Sequence, residues 1–579
     1  MSNSNDDLEL ADAAVPKQKF HESNAGDGTT VFDQYLTGLP LVMSFGSCFI
    51  TLFLIALDQT IIVTLLTKVG EKFNAYDKIG WVSSGYMLSM AVFAQTWGKF
   101  SIIFGRKYSL LAAIILFEAG SLMCALANDM NVLIGGRVLA GIGGGGIQSL
   151  VFIVGSEMVR IDKRPVAFAL LGAAFSVASV IGPIIGGAFT EKVSWRWCFY
   201  INLPLGGVAF CALTYFFNPP PPRFTWKQKL EQIDFVGIFL LCSGVVLFLL
   251  GLTFGGTEFP WRSGAVISCI VLGGILIILF CVWNFKYSKN QIVPTEITMT
   301  PKVMFPVMTL FFLFFGFISL LTYASAYYQI IQGAGAISLG VQFFPFIIPT
   351  VISSIGTGIA LKVTRHLKPF AVFGGILAAV GYGVLTLTDV HSTSAQKIGY
   401  LIMPGASFGF LMQTSIMSCQ MEAPKTAGSM ILVTSFFNFS RSLGGTLGGD
   451  LAQVIFNSSL NDKIKDAIKK HPDLFESLGS YDLSSMTNNP ALARTLPSAT
   501  REVVFECIMG AIRNVYYVSC ASMCLAFVMT VCFSNRRVPA ENEVAKKEDV
   551  VGEVDRTTSG DEKSMEPEQN QLQEETSQK

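Results

Sequence analysis

MNVLIGGRVLAGIGGGGIQSLVFIVG, residues 130–155, carries a single charged side chain, Arg137, in an otherwise uncharged run. A helix of that length reaches about 39 Å at 1.5 Å per residue, more than the roughly 30 Å hydrocarbon core of a bilayer. Its glycine cluster, Gly141–Gly146, lies inside the apolar run, so it does not read as a nucleotide loop; small residues there let helix backbones approach closely. The chain contains no Gly-x-x-x-x-Gly-Lys-Ser/Thr pattern, and ATP-driven work would need a separate subunit.

Runs of the same kind recur on both sides of this one. Spans are expected near 41–66, 79–98, 108–127, 130–155, 165–189, 196–217, 234–255, 264–285, 304–329, 337–361, 369–388, 396–419, 427–456 and 508–533, about fourteen in all. Composition agrees. Of 579 residues, 51% are apolar, 47 are Phe and only 14% are charged, whereas a water-facing globule has about 25% charged residues. The fold class expected is therefore all-α and integral to the membrane.

The remaining composition excludes several function classes. Net charge is zero, so nothing in bulk electrostatics favours nucleic acid as a partner. The four histidines, His21, His366, His391 and His471, have no metal-ligand spacing, and no metal or cofactor is expected. Most of the twelve cysteines sit in apolar runs, as Cys48, Cys124 and Cys242 do, and read as small hydrophobes rather than a disulfide framework. The first forty residues lack the apolar core of a cleavable signal peptide, so the first span would direct insertion.

An even number of spans puts both tails on one side, and basic residues choose the side. Loops after even-numbered spans hold sixteen Lys or Arg, among them Lys99, Arg106, Lys107, Arg160 and Lys163; short loops after odd-numbered spans hold seven. Both tails should be cytoplasmic. Residues 1–39 and 536–579 are polar and expected to be disordered. Between them lie a six-helix bundle (40–217), a connector (218–233), two inserted helices (234–286) and a second six-helix bundle (287–535). The longest external loop, 457–507, should hold a short surface helix near Asp462–Lys470. Asn457-Ser458-Ser459 is a glycosylation sequon on that side.

The two bundles read as repeats. Gly182-Pro183-Ile184-Ile185-Gly186-Gly187 in the fifth span has the spacing of Gly444-Gly445-Thr446-Leu447-Gly448-Gly449 in the thirteenth, 262 positions later. The glycine run ending in Gln148 has a counterpart in Pro404, Gly405, Gly409 and Gln413. Repeated halves around a midplane site are a common transporter design.

Ionisable residues inside spans are costly and usually face a cavity or a partner. Asp58 lies ~12 Å and Arg137 ~10 Å from the outer end of their spans at 1.5 Å per residue. Matching depths suggest a pair, either a proton-coupling element or a static ion pair joining the first and fourth spans. Glu118 is mid-span in the third, where burial favours the neutral acid; it is a further proton-coupling candidate or a structural acid. Gln148, Gln413, Arg441 and Asp450 either line a cavity or bond neighbouring helices. Glu157, at the cytoplasmic end of its span, could meet Arg106 or Lys107.

Together these residues resemble a known family. Leu57-Asp58-Gln59-Thr60-Ile61-Ile62-Val63, Gly136-Arg137-Val138-Leu139-Ala140-Gly141-Ile142-Gly143 and Ala178–Gly187 are similar to the first-, fourth- and fifth-helix motifs of the major facilitator superfamily. The branch is the fourteen-helix drug:proton antiporters, and most closely their fungal toxin-efflux members. Ser194-Trp195-Arg196-Trp197-Cys198-Phe199-Tyr200-Ile201-Asn202-Leu203-Pro204 resembles the stretch that follows in that branch. The loop between the second and third spans matches in Gly98, Gly105, Arg106 and Lys107, but Ile102 stands where an aspartate is usual; Glu157 could partly substitute in that cytoplasmic gate.

The resemblance implies alternating access by two rocking bundles, with Arg137 tied to proton transfer and the Gly182-Pro183 and Gly186-Gly187 face limiting leakage. It implies a monomeric secondary transporter, not an enzyme, that exports lipophilic toxins, metabolites or drugs from the plasma membrane against protons. Alternatives are a vacuolar, siderophore or basic amino acid transporter of the same fold, or a transporter-like sensor.

Overall fold

The computed structural model describes residues 26–27, 29, 34–73, 75, 78–255, 259–470, 472, 494 and 496–539. Fourteen long helices dominate: α1 Gly38–Phe73, α2 Ile79–Phe104, α3 Arg106–Leu126, α4 Met130–Glu157, α5 Arg164–Lys192, α6 Asn202–Phe216, α7 Phe235–Phe254, α8 Gly264–Val282, α9 Pro301–Ala326, α10 Phe344–Thr364, α11 Lys368–Leu385, α12 Ser394–Met421, α13 Ser429–Lys470 and α14 Ser498–Val531. Twelve of the fourteen include a stretch long and apolar enough to cross a membrane. The other two, α12 and α13, are 28 and 42 residues long and carry more polar side chains; they occupy the places that α4 and α5 hold in the first half.

Local chemistry sets where these helices begin. Asp129 caps α4, its carboxylate accepting the amides of Asn131 at 2.8 Å and Val132 at 2.9 Å. Thr393 and Gln396 cap α12 reciprocally. Gly105, at φ 95°, separates α2 from α3 in a conformation that a side chain would strain.

Helix pairing repeats with an offset of eight. α1 packs on α5 and α6, α2 on α4, and α3 on α4 and α6; α9 packs on α13 and α14, α10 on α12, and α11 on α12 and α14. The bundles meet through α2 with α13 and α5 with α10, again an equivalent pair. α7 and α8 pack on each other, and α7 touches α2 and α13. The fold is thus two pseudo-repeated six-helix bundles with an inserted pair.

Glycines make the close approaches. Gly141 and Gly145 lie against the backbone oxygens of Tyr86 and Met90 on α2, while Gly143 faces Phe117 and Ala113 on α3. The repeated motifs do the same work in each half. Gly182 and Gly186 of α5 press on Thr60, Ile61 and Thr64 of α1; Gly444 and Gly448 of α13 press on Phe311 and Phe315 of α9.

Both described chain ends lie on one face. Leu36 donates its amide to the Met158 carbonyl at the end of α4, and Val538 donates to the Arg365 carbonyl between α10 and α11. We call this face the Arg106 end.

Three expectations need correction. The segment Asp462–Lys470 is no separate surface helix: α13 runs unbroken to Lys470, and α14 begins at Ser498 rather than near 508. Asn457 therefore sits within a helix, and Ser459 of its sequon accepts a hydrogen bond from Asn514 at 2.7 Å. Alternating apolar residues such as Phe456, Leu460, Ile464 and Ala467 are buried and prolong the helix beyond the hydrophobic stretch. Part of the N-terminal tail is also packed, since Asp27, Thr29 and Gln34 are buried. Residues 1–25, 28 and 30–33, and the C-terminal tail from Ala540, lie outside the described residues.

Candidate functional site

The first and fourth helices bring Asp58 and Arg137 together. Arg137 donates from Nη1 to Asp58 Oδ2 at 2.6 Å, and the side chains are 1% and 0% exposed. Its Nε donates to the Val82 carbonyl at 3.0 Å, and the guanidinium lies 4.0 Å from the centre of the Tyr86 ring. Asn202, at the start of α6, donates to Asp58 Oδ1 at 3.4 Å and to Ser121 Oγ of α3 at 3.1 Å. Side chains and carbonyls of five helices thus meet in one network around Asp58. A buried pair of this kind holds only while both partners are charged; neutralising one leaves the other uncompensated at a cost of about 3–5 kcal/mol.

Glu118 lies on α3, one turn before Ser121, with its carboxyl against Gly206 of α6. Among the described residues neither of its oxygens has a hydrogen-bond partner. Ser121, which Asn202 links to Asp58, lies one turn further along the same helix.

A second charged cluster occupies the Arg106 end. Arg106 holds Glu157 through two bonds, Nε to Oε2 at 3.0 Å and Nη2 to Oε1 at 3.1 Å. It also pairs with Asp27 of the N-terminal segment. Asp27 is fixed from several sides: it accepts the Thr29 amide at 3.0 Å, and its carbonyl accepts the Arg223 amide at 2.9 Å. Lys107 does not join the cluster. It donates to the Thr214 carbonyl at 2.7 Å and to Asn218 Oδ1 at 2.5 Å.

The bundles are in contact here. Gly98 lies against Ser435 of α13, Gly358 against the Pro165 carbonyl, and Ser354 donates to the Ala169 carbonyl at 3.5 Å. Gln413 donates to the Pro165 carbonyl, so it bridges α12 and α5 at this end. Gln148 donates to Ser442 Oγ at 3.4 Å, joining α4 to α13 nearer mid-depth. Asp450 accepts from Thr253 of α7 at 3.3 Å, turned toward the inserted pair. Arg441 is buried between Phe175 and Phe314. Of these four cavity candidates, Gln148, Gln413 and Asp450 bond neighbouring helices, whereas Arg441 makes no such bond among the described residues.

Four contributors escaped the sequence reading: Asp27, Tyr86, Asn202 and Phe175. Asn202 belongs to the motif-like stretch Ser194–Pro204, where a lone polar residue at a helix start was the available signal. Asp27 offered none, because its polar surroundings read as tail.

Comparison with known proteins agrees with this architecture. Residues 48–449 match the family "Major Facilitator Superfamily". The chain is 36% identical over 543 residues to "Vacuolar basic amino acid transporter 5" of Saccharomyces cerevisiae, covering 86% of this chain and 92% of that one. It is 32% identical over 568 residues to "Azole resistance protein 1" of the same yeast, covering 89% and 91%. It is 31% identical over 505 residues to "MFS-type efflux pump MFS1" of Trichophyton rubrum, covering 86% and 92%. With its paired bundles, motif glycines and buried Asp58–Arg137 contact, the chain belongs to the major facilitator superfamily and is a multi-pass membrane transporter.

Proposed function

We propose that this transporter is a proton-coupled antiporter that exports lipophilic small molecules, with the Arg106 end facing the cytoplasm. The observation that carries the reading is the buried Asp58–Arg137 pair. A proton arriving at Asp58 removes its charge, releases Arg137 and frees the helices it ties to α1. Export follows if cargo leaves in the protonated state and the unloaded carrier returns the proton inward. The similarity to proteins named for azole resistance and efflux supports lipophilic cargo. The excess of Lys and Arg in even-numbered loops supports the orientation, and a plasma-membrane monomer needing no cofactor beyond the proton gradient completes the proposal.

The bundles touch at the Arg106 end, through Gly98 with Ser435 and Pro165 with Gln413 and Gly358. In this orientation the state is closed to the cytoplasm. The test is purified protein in vesicles with an imposed pH difference and rhodamine 6G as probe. Uphill dye movement should stop when an uncoupler collapses the gradient; equal movement after collapse overturns the proposal.

The 36% identity to a protein named as a vacuolar basic amino acid transporter favours a second reading, proton-driven import of basic amino acids into the vacuole. Proton-driven flux of labelled arginine, with none of rhodamine 6G, would select it.

A further inference from the structure

Three arginines, Arg106, Arg137 and Arg441, are among the largest fully enclosed side chains. Two of them are neutralised: Arg106 by Glu157 and Asp27, Arg137 by Asp58. Arg441 is different. Among the described residues its guanidinium has no hydrogen bond and no carboxylate within ion-pair distance, and Nη1 is sealed from solvent without a partner. Its company is two ring faces, Phe175 at 4.5 Å and Phe314 at 4.3 Å from the guanidinium carbon. Ring faces recover part of the cost of stripping water from a cation, but a carboxylate recovers more. An uncompensated cation is expensive to keep, and such groups inside membrane proteins mark cargo or ion pathways.

Its location fits that function. Phe175 belongs to the first bundle; Phe314 and Arg441 belong to the second. Counting from the Arg106 end, the three lie eleven, thirteen and twelve residues into α5, α9 and α13, all at a similar depth. Because the two rings come from different bundles, rocking the bundles apart withdraws one ring and bares a face of the guanidinium. Phe314 continues into an apolar shelf, with Phe408 at 5.3 Å and Phe317 at 5.6 Å between ring centroids. A charged head on Arg441 would place an apolar body on that shelf.

We propose that Arg441 is the recognition residue for a carboxylate, and that the cargo class is amphipathic organic acids with a flat apolar body. This deepens the export proposal and rests on the transporter reading. Arg441 takes the carboxylate through its fork of donors, the geometry at which guanidinium excels. Asp450 does not compete, being engaged with Thr253.

The test measures binding to the purified full chain without any gradient, using 2-naphthylacetate and its uncharged methyl ester as a matched pair. A charge-assisted bond should make the acid bind about tenfold or more tightly than the ester. Arg441→Met should remove the preference, and Arg441→Lys should keep part of it. Wild-type affinities that are equal, or a preference that survives in Arg441→Met, overturn the proposal. If Arg441→Met does not purify as a folded protein, the heat-stability shift of the wild type decides: stabilisation by the acid well above that by the ester supports the site, and equal shifts reject it. The two proposals fail separately. Acid preference without proton-driven transport sinks only the coupling, whereas proton-driven export of rhodamine 6G without acid preference sinks only this site.

Discussion

Asp27 and Arg106, 79 positions apart in the chain, form a buried ion pair at the end of the bundle where both described chain ends lie. The resembled family carries an aspartate where this chain has Ile102, and Ile102 is packed in the core. The missing carboxylate is replaced from two directions: Glu157 closes on one edge of the guanidinium, and the N-terminal segment delivers Asp27. That segment also crosses to the second bundle, where Gly26 rests on Gly428. It therefore contacts both bundles at this end, as a strap would.

Asp27→Asn should therefore loosen that end while leaving most of the fold intact. A loss of about 1.4 kcal/mol corresponds to tenfold faster opening-limited amide exchange. Hydrogen exchange followed by mass spectrometry should show this acceleration in peptides covering Gly98–Arg106 and Ser429–Ser435, and not in α7 or α8. Glu157→Gln should accelerate the same peptides further, because it strips a two-bond partner from a buried cation. Unchanged exchange in Asp27→Asn would mean that the strap carries no load.

The Asp58–Arg137 pair gives the second prediction. Asp58→Asn keeps the shape of the side chain and removes its charge. Proton-driven accumulation should fall by about tenfold or more, the equivalent of roughly 1.4 kcal/mol or more in the driven step. Exchange of labelled for unlabelled cargo without a gradient should persist. Heat stability must be measured alongside, since an unpaired buried Arg137 costs about 3–5 kcal/mol. A folded Asp58→Asn protein that still accumulates cargo against a pH difference would reduce the pair to a structural tie.

Much of this was legible in sequence because spans, repeats and charge depth follow from helix geometry. The matching depths of Asp58 and Arg137 followed from the rise per residue, and the equal spacing of Gly182/Gly186 and Gly444/Gly448 foretold equivalent helix contacts. What escaped was three-dimensional partnership across unrelated segments. Asp27 is anchored by a buried ion pair, whereas the rule for disordered tails weighs apolar burial. The end of α13 was misread because hydropathy falls after Phe456, although the buried stripe of Leu460, Ile464 and Ala467 keeps helical spacing. Gln413 and Asp450 were ambiguous for a related reason: a polar residue in a span needs a partner, and sequence does not say whether that partner is cargo or a neighbouring helix.

Glycine contacts supply a graded prediction. A methyl group on Gly143 would fall on the Phe117 and Ala113 backbone, which cannot move aside. On Gly135 it would meet only the tip of Met123 at 3.1 Å, and on Gly207 nothing within 4 Å. Helix propensity alone favours each Gly→Ala change by about 1 kcal/mol, while overpacking costs about 1–3 kcal/mol or more. Gly143→Ala should lower the unfolding temperature in detergent, Gly207→Ala should raise it slightly, and Gly135→Ala should fall between. A stable Gly143→Ala protein would contradict the backbone-contact account of the glycine run.

If transport protonates Asp58, Glu118 offers the sharpest test of the proton's route. Neither carboxyl oxygen has a hydrogen-bond partner among the described residues, so Glu118→Gln gives up no bond and should leave the unfolding temperature nearly unchanged. Its position is nonetheless pointed. Ser121 is one turn further along α3, and Asn202 bonds both Ser121 and Asp58, so the polar chain from Asp58 ends one helical turn from Glu118 on α3. If protons pass along it, Glu118→Gln should slow proton-driven transport several-fold while cargo exchange without a gradient continues at its usual rate. The double variant Glu118→Gln/Asp58→Asn should then be no slower than Asp58→Asn alone, because groups acting in series are not additive. Transport rates measured for the four proteins close the cycle: independent, multiplying losses would place Glu118 outside the proton route and leave it as packing between α3 and α6.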